Sequence, residues 1–219
     1  MSVFTDRRRF MVESQLRTNK VTNDALIMAF ENTAKENFID ENQSELAYID
    51  EDLMLPSGRF ILEPMVFARL VQALELKPTD AVLDIGATTG YSTTILSKLA
   101  QSVVGIESDA NHAEKAQENL TANDVDNAVI INARHTEGLP KEAPYNAILI
   151  NGAIEEVPEQ LLSQLSEDGR LVAIIREKAS MPGRAVKYVR AGNGFAHTTL
   201  FDAQTPILEE FSKEKPFSF

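Results

Sequence analysis

The chain has 219 residues, of which 43% are hydrophobic and 25% charged, an ordinary composition for globular proteins that argues against disorder of the whole chain. Its 21 basic and 33 acidic residues give a formal charge of −12, which disfavours nucleic acid as a partner. Cysteine is absent, no apolar run is long enough to span a membrane, and the first residues do not resemble a signal peptide. We therefore expect a cytoplasmic protein without disulfides or a membrane partner.

The N-terminal part of the chain is predicted to be helical. Apolar residues recur at helical spacing and predict two or three helices over roughly residues 5–45, with Asn23 among the N-cap residues of one of them. Residues 48–59 are rich in turn-forming residues and predict a loop. A further helix is expected to start near Pro64 and to end before Pro78.

From residue 81 onward the pattern alternates between strands and helices, which predicts a parallel sheet covered on both faces. The predicted strands lie at residues 81–85, 102–106, 128–131, 147–150 and 171–175. The predicted helices lie at residues 91–100 and 110–123 and around residues 161–165. Residues 186–190 and 197–201 flank a glycine-containing turn and predict an antiparallel pair. The last residues, 209–219, are expected to form a loose tail that Phe217 and Phe219 pin to the body.

The most informative motif follows the first predicted strand. Residues 82–93 read VLDIGATTGYST, a strand, a glycine-containing turn and a helix start. Ligands of open parallel sheets bind beyond the carboxyl ends of the strands, and glycine lets the backbone approach them closely. Glu107, at the tip of the next strand, lies 21 residues after Gly86, and an acidic residue at that distance accepts hydrogen bonds from ribose hydroxyls. The spacing predicts a nucleoside ligand rather than a glycine turn beside an unrelated surface glutamate.

Other ligand and reaction classes fit the residues less well. Gly86 and Gly90 do not complete the dinucleotide fingerprint, which disfavours a nicotinamide dehydrogenase, and the chain contains no P-loop. A nucleoside without a pyrophosphate fits better, and S-adenosylmethionine is the obvious member of that class. The three histidines, including His135, which we expect at the surface, lack metal-ligand spacing, and no serine lies in a nucleophile elbow.

Several further segments carry a resemblance to a known family. They are Arg9-Phe10-Met11-Val12 with Gln15-Leu16, residues 82–91, residues 104–107, the APYNAI sequence of residues 143–148, residues 158–165 and residues 168–172. With them the chain resembles the protein-L-isoaspartate O-methyltransferase family over nearly its whole length. The closing Phe201-Asp202-Ala203 is similar to a bacterial subgroup of that family.

The resemblance implies a fold, a cofactor and an activity. The implied α/β fold is the doubly wound, Rossmann-like sheet of class I S-adenosylmethionine methyltransferases, with an N-terminal helical extension and an antiparallel C-terminal strand pair. We expect a single domain over residues 1–219, with the extension at 1–55, the α/β core at 56–205 and a tail at 206–219. The implied reaction transfers a methyl group from S-adenosylmethionine to the free carboxyl of isoaspartyl residues in damaged proteins.

The resemblance also implies site residues. The cofactor-binding candidates are Asp84, Gly86, Ala87, Thr88, Gly90, Glu107, Arg134 and Asn151. The candidates that border the methyl acceptor are Ile61, Leu62, Glu63 and Pro64. Asn151 is either a cleft-lining residue or part of a plain strand-to-helix turn, and Asp84 is expected to support the loop. No catalytic side chain is assigned, because the acceptor is already a carboxylate and needs orientation in line more than a base.

Three candidate positions depart from the family pattern. Thr88 stands where the family has the middle glycine of motif I, although a β-branched residue disfavours positive φ. Leu62 replaces a serine that contacts the substrate carboxyl, and Glu63 beside it adds a negative charge. Arg134 replaces an aspartate beside the adenine, where it would stack on the ring or pair with Glu107. These departures leave two alternatives open: a changed acceptor, or a non-catalytic relative that acts as a binding module.

Overall fold

The structure, a computed structural model, describes residues 3–55, 57–178 and 181–213. Its helices are α1 (Val3–Met11), α2 (Asp24–Glu31), α3 (Pro64–Leu74), α4 (Tyr91–Ser97), α5 (Ala110–Ala122) and α6 (Glu159–Leu162). Its strands are β1 (Leu53–Met54), β2 (Phe60–Ile61), β3 (Ala81–Ile85), β4 (Ser102–Glu107), β5 (Ala128–Asn132), β6 (Tyr145–Ile154), β7 (Leu165–Ile175), β8 (Gly183–Ala191) and β9 (Gly194–Ala203). Within the described ranges no helix is both long enough and apolar enough to cross a membrane.

The main sheet confirms the predicted α/β architecture. In the described residues it has the strand order β5-β4-β3-β6-β7-β8-β9. Strand β3 pairs in parallel with β4 on one side and with β6 on the other. The chain therefore adds strands outward on one side of β3 as far as β5 and then continues on the other side with β6. Strands β8 and β9 add the predicted antiparallel pair at one edge. The switch point lies at the carboxyl end of β3, where a ligand cleft is expected.

Helices α2 and α3 pack on the start of α4 through aromatic side chains. Helix α2 begins at its N-cap Asn23, whose side chain accepts a hydrogen bond from the backbone N–H of Leu26 at 2.9 Å. Phe30 of α2 and Phe67 of α3 both contact Tyr91 at the start of α4, with ring centroids 6.4 and 6.0 Å apart. The extension thus shares one hydrophobic core with the sheet and holds the start of α4 in place.

Several predicted boundaries differ in the structure. The predicted loop at residues 48–59 contains β1, which pairs with β2 in an antiparallel ribbon. Helix α3 runs from Pro64 to Leu74 and ends before Pro78, as predicted. It ends there because Glu75 is left-handed (φ 50°), and the Arg170 guanidinium donates to the carbonyl groups of Leu74 and Glu75. Helix α4 stops at Ser97 rather than residue 100. Leu165, predicted to be helical, starts β7 and pairs with Tyr145.

The described part of the C-terminal tail is packed rather than loose. Leu208 is buried, and its backbone N–H donates to the carbonyl of Ala153 at 2.9 Å. A 3₁₀ turn at Glu209–Phe211 follows, with Phe211 also buried. Apolar side chains at these two positions explain the packing, since each covers core surface that would otherwise face water. Phe217 and Phe219 lie outside the described residues.

Candidate functional site

The loop after β3 turns sharply into α4 and lies against β4 and α5. Gly86 and Gly90 have φ values of +81° and +89°, which favour glycine. The backbone N–H groups of Gly86 and Ala87 donate to the carbonyl of Ile106 at 3.0 and 3.1 Å. A Cβ atom on Gly90 would lie 3.0 Å from the carbonyl oxygen of Ala116, so a side chain there would push the loop off α5. Both glycines therefore serve the shape of the loop.

Thr88 adopts a left-handed backbone conformation. Its φ is +53°, an outlier for a β-branched residue. The backbone N–H donates to Glu107 Oε2 at 2.9 Å. The hydroxyl group lies 3.3 Å from the carbonyl oxygen of Phe60 in β2 and 3.1 Å from that of Gly86. These bonds offset the strain and join the loop to both β4 and β2.

Glu107 occupies the carboxyl end of β4, and its side chain is 0% exposed. Besides the Thr88 N–H, its carboxylate accepts the backbone N–H groups of Ser108 and Asp109 at 3.0 and 3.2 Å through Oε1. Such donors hold a carboxylate in its ionised form. The predicted proximity of Glu107 to the glycine loop thus appears in the structure as a direct hydrogen bond.

Two cationic or titratable side chains that the sequence analysis did not place at the site also surround Glu107. The Arg59 guanidinium donates from Nη2 to Oε2 at 2.7 Å, and Nε2 of His135 lies 3.5 Å from Oε1. Burial acts to raise the pKa of Glu107, but the neighbouring His135 and Arg59 outweigh it and hold that pKa well below its usual value. Glu107 is therefore an anion throughout the neutral range.

Arg134 and His135 exchange the positions expected from the sequence. His135, expected at the surface, is only 2% exposed, and its backbone N–H donates to Glu210 at 2.8 Å. The side chain of Arg134 is 72% exposed and lies 3.5 Å from Glu137. The expected pair between Arg134 and Glu107 is therefore wrong. The position of His135 just after the end of β5 was the one available signal, because that strand end faces the same cleft.

Asp84 and Asn151 form a buried polar cluster at the switch point. Asp84 accepts hydrogen bonds from Ser92 at 2.7 Å, from Thr93 at 2.6 Å and from the Asn151 side-chain amide. Burial raises the pKa of Asp84, while these three donors lower it in part. Asn151 lies inside β6 rather than in a turn and lines the cleft. The cluster ties the start of α4 to β3 and β6.

The four residues predicted to border the methyl acceptor are apolar except for Glu63. Ile61 and Leu62 are buried and line the cleft, whereas Pro64 is the first residue of α3. Glu63 is half-buried, and its backbone N–H donates to Asp52 at 2.9 Å. Burial, together with nearby carboxylates led by Asp52, raises the pKa of Glu63 to about 7. Glu63 is thus largely protonated below neutral pH, which reduces its repulsion of an anionic acceptor.

The cleft between these residues is narrow. It encloses about 20 Å³, with Phe60, Leu62, Ala87, Thr88 and Asn151 among the lining residues. That volume suits about one water molecule, whereas pockets for small ligands enclose roughly 300 Å³ or more. The residue types around the cleft, a carboxylate and a glycine loop, suit a nucleoside. The space does not accommodate one: Phe60 lines it, and Arg59 lies beside it over Gly86.

The strand order, the switch point and the acidic tip of β4 define a Rossmann-like α/β protein of the class I methyltransferase type. Solved structures agree. One, a protein-L-isoaspartate O-methyltransferase, superimposes with a TM-score of 0.81 at 21% identity. The match covers 92% of this chain and 65% of the other chain. Another, from Plasmodium falciparum and described as the same enzyme in complex with S-adenosyl-L-homocysteine, has a TM-score of 0.78 at 21% identity over 96% of this chain and 100% of that one.

Sequence comparisons identify the family. The profile of the protein-L-isoaspartate(D-aspartate) O-methyltransferase family (PCMT) matches residues 7–200. The O-methyltransferase of Methanoculleus marisnigri is 35% identical over 166 residues, 76% of each chain. Protein-L-isoaspartate O-methyltransferase 1 of Syntrophobacter fumaroxidans is 32% identical over 198 residues, 90% of this chain and 91% of the relative. The chain belongs to the PCMT family, and the resemblance stated from its motifs is confirmed.

Proposed function

We propose that this chain is an S-adenosylmethionine-dependent methyltransferase that esterifies the free carboxyl of isoaspartyl residues in proteins, in the cytoplasm. One observation carries the proposal within the family: the buried Glu107 carboxylate at the tip of β4 is hydrogen-bonded to Thr88 in the loop after β3. A carboxylate at this position supports binding of ribose hydroxyls beside a loop suited to close backbone contact. The named relatives and the Plasmodium falciparum complex support the choice of substrate and cofactor.

The proposed cofactor contacts follow from where each residue lies. Glu107 would hold the ribose, and Gly86, Ala87, Thr88 and Gly90 would surround the methionine part. Asp84 and Asn151 would keep that loop in place through the buried polar cluster. Arg134, on the exposed side of the loop after β5, would lie at the adenine end by its position in the family pattern. When bound, the cofactor supplies an electrophilic methyl group.

The proposed acceptor site needs orientation and exclusion of water rather than a base, because the attacking group is already a carboxylate. Ile61 and Leu62 would provide the apolar wall, and Pro64 would fix the start of α3 beside them. Leu62 offers no hydrogen bond, so backbone groups and the protonated form of Glu63 would contact the acceptor. A protonated carboxyl donates a hydrogen bond to a carboxylate, whereas an ionised one repels it.

The test is transfer of a radiolabelled methyl group to a pair of peptides of one sequence, one with isoaspartate and one with aspartate. We expect base-labile label in the isoaspartyl peptide only. Glu107→Gln should reduce the incorporation at limiting cofactor, whereas Glu137→Gln, which alters an exposed pair, should not. Absence of transfer by folded protein at millimolar cofactor would refute the proposal and favour the non-catalytic alternative. Label in another carboxyl or amine acceptor would instead show a changed acceptor.

A further inference from the structure

The Glu107 carboxylate has no free capacity for a ribose. A carboxylate offers about four lone-pair sites on its two oxygens. Oε2 accepts from Arg59 and from the Thr88 N–H at 2.7 and 2.9 Å. Oε1 accepts from the Ser108 and Asp109 N–H groups at 3.0 and 3.2 Å, and His135 Nε2 lies 3.5 Å from it. A hydroxyl group that binds Glu107 must therefore replace one of these four donors.

Two side chains lie at the carboxylate, Arg59 and His135, and His135 is fixed there because it is 2% exposed and its backbone N–H is bonded to Glu210. The N–H groups of Thr88, Ser108 and Asp109 belong to the backbone of the glycine loop and of the β4–α5 turn, which the sheet and α5 hold in place. The Arg59 guanidinium is carried on a long flexible stem, and the side chain as a whole is 16% exposed. Arg59 can thus leave the carboxylate by rotamer changes, whereas the other three donors cannot leave without unfolding the turn.

Arg59 also covers the glycine loop itself. A Cβ atom built on Gly86 would lie 3.3 Å from Arg59 Nη2, so the guanidinium rests on the face that glycine leaves open. The next residue, Phe60, is held there by the hydroxyl group of Thr88. On the outer side, the Ser57 hydroxyl lies within hydrogen-bond distance of His112 Nε2 at the start of α5. The described residues 57–61 therefore cover the ribose position and the loop together.

We propose that Arg59 is an internal competitor of the cofactor: its guanidinium and a ribose bind the Glu107 carboxylate in mutually exclusive states. This inference rests on the proposed function for the identity of the ligand, a nucleoside with free ribose hydroxyls. The apparent affinity for that ligand is the intrinsic affinity multiplied by the fraction of molecules in which Arg59 has left. Replacing Arg59 raises that fraction and removes the competing charge.

The experiment measures binding of S-adenosylhomocysteine by calorimetry, without turnover, to the unaltered chain, to Arg59→Ala and to the control Arg17→Ala. Arg17 also forms an ion pair, but an exposed one with Glu13 on the N-terminal helices. We expect Arg59→Ala to bind at least tenfold more tightly than the unaltered chain, and Arg17→Ala to bind as the unaltered chain does. Equal or weaker binding by Arg59→Ala would overturn the inference.

A second measurement uses the unaltered chain, in case Arg59→Ala folds poorly. Hydrogen exchange of the Arg59 guanidinium N–H groups, followed by nuclear magnetic resonance, should become faster when millimolar S-adenosylhomocysteine is added, because the guanidinium leaves the buried carboxylate. Unchanged or slower exchange would overturn the inference.

The two proposals fail in different ways. Tighter binding by Arg59→Ala without methyl transfer to the isoaspartyl peptide would refute the proposed function and support the competition. Equal binding of S-adenosylhomocysteine by the unaltered chain and by Arg59→Ala, together with methyl transfer to the isoaspartyl peptide, would refute the competition and support the proposed function.

Discussion

Replacing Glu107 by glutamine removes the buried negative charge of the site and keeps the size of the side chain. In the unaltered chain the Arg59 guanidinium lies 2.7 Å from the Glu107 carboxylate, and the variant leaves it beside a neutral amide without its counter-charge. Removing one partner of a buried ion pair costs about 3–5 kcal/mol. Because Arg59 is partly hydrated, we expect the lower end, about 3 kcal/mol at neutral pH. For a chain of this length that loss lowers the Tm by about 6–12 °C.

The dependence on pH separates the charge from the shape of the side chain. The pKa of Glu107 is lower in the folded state than in the unfolded state, so its contribution to stability is present above the unfolded value, near about 4.3. It is lost as the pH falls through the folded value. Glutamine does not titrate. The stability difference between the unaltered chain and Glu107→Gln should therefore be constant at neutral pH and should shrink below about pH 4.

Urea unfolding followed by far-ultraviolet circular dichroism at a series of pH values measures this difference. The matched control is Glu137→Gln, the same change at an exposed pair with Arg134, which should alter stability by about 0.5 kcal/mol or less. The reasoning is refuted if Glu107→Gln is as stable as Glu137→Gln at neutral pH. It is also refuted if the difference persists unchanged in acid, because the loss would then come from packing.

Three further predictions concern single side chains. Because the pKa of Glu63 is raised to about 7, the KM for an isoaspartyl peptide should rise as the pH passes 7, and Glu63→Gln should flatten that rise in steady-state assays. Burial lowers the pKa of Lys35 to about 8, so the unaltered chain binds fewer protons than its unfolded form between about pH 8 and 10. Its urea stability should increase over that range, and Lys35→Met should abolish the increase. Arg170→Met strips the buried Asp80 of its partner and should cost about 3 kcal/mol or more in the same unfolding assay.

The order of elements and the place of the cleft could be predicted from the sequence. Short apolar runs between turn residues predicted β3, β4 and β6, because a strand buried on both faces must be apolar along its length. Gly86 and Glu107 were predicted to meet because the carboxyl ends of neighbouring parallel strands lie at one edge of the sheet. Local patterning and this one topological rule were sufficient for both conclusions.

Tertiary structure alone decided how the cleft is filled. Arg59 precedes β2, and Glu107 ends β4 48 residues later. No sequence pattern links these two positions. His135 is an unremarkable loop residue in the sequence, but in the folded chain it is buried, with its backbone N–H bonded to Glu210 and its ring beside Glu107, both from distant segments. Ion pairs and buried hydrogen bonds depend on which side chains the folded chain brings within about 3 Å, and local sequence does not encode that distance.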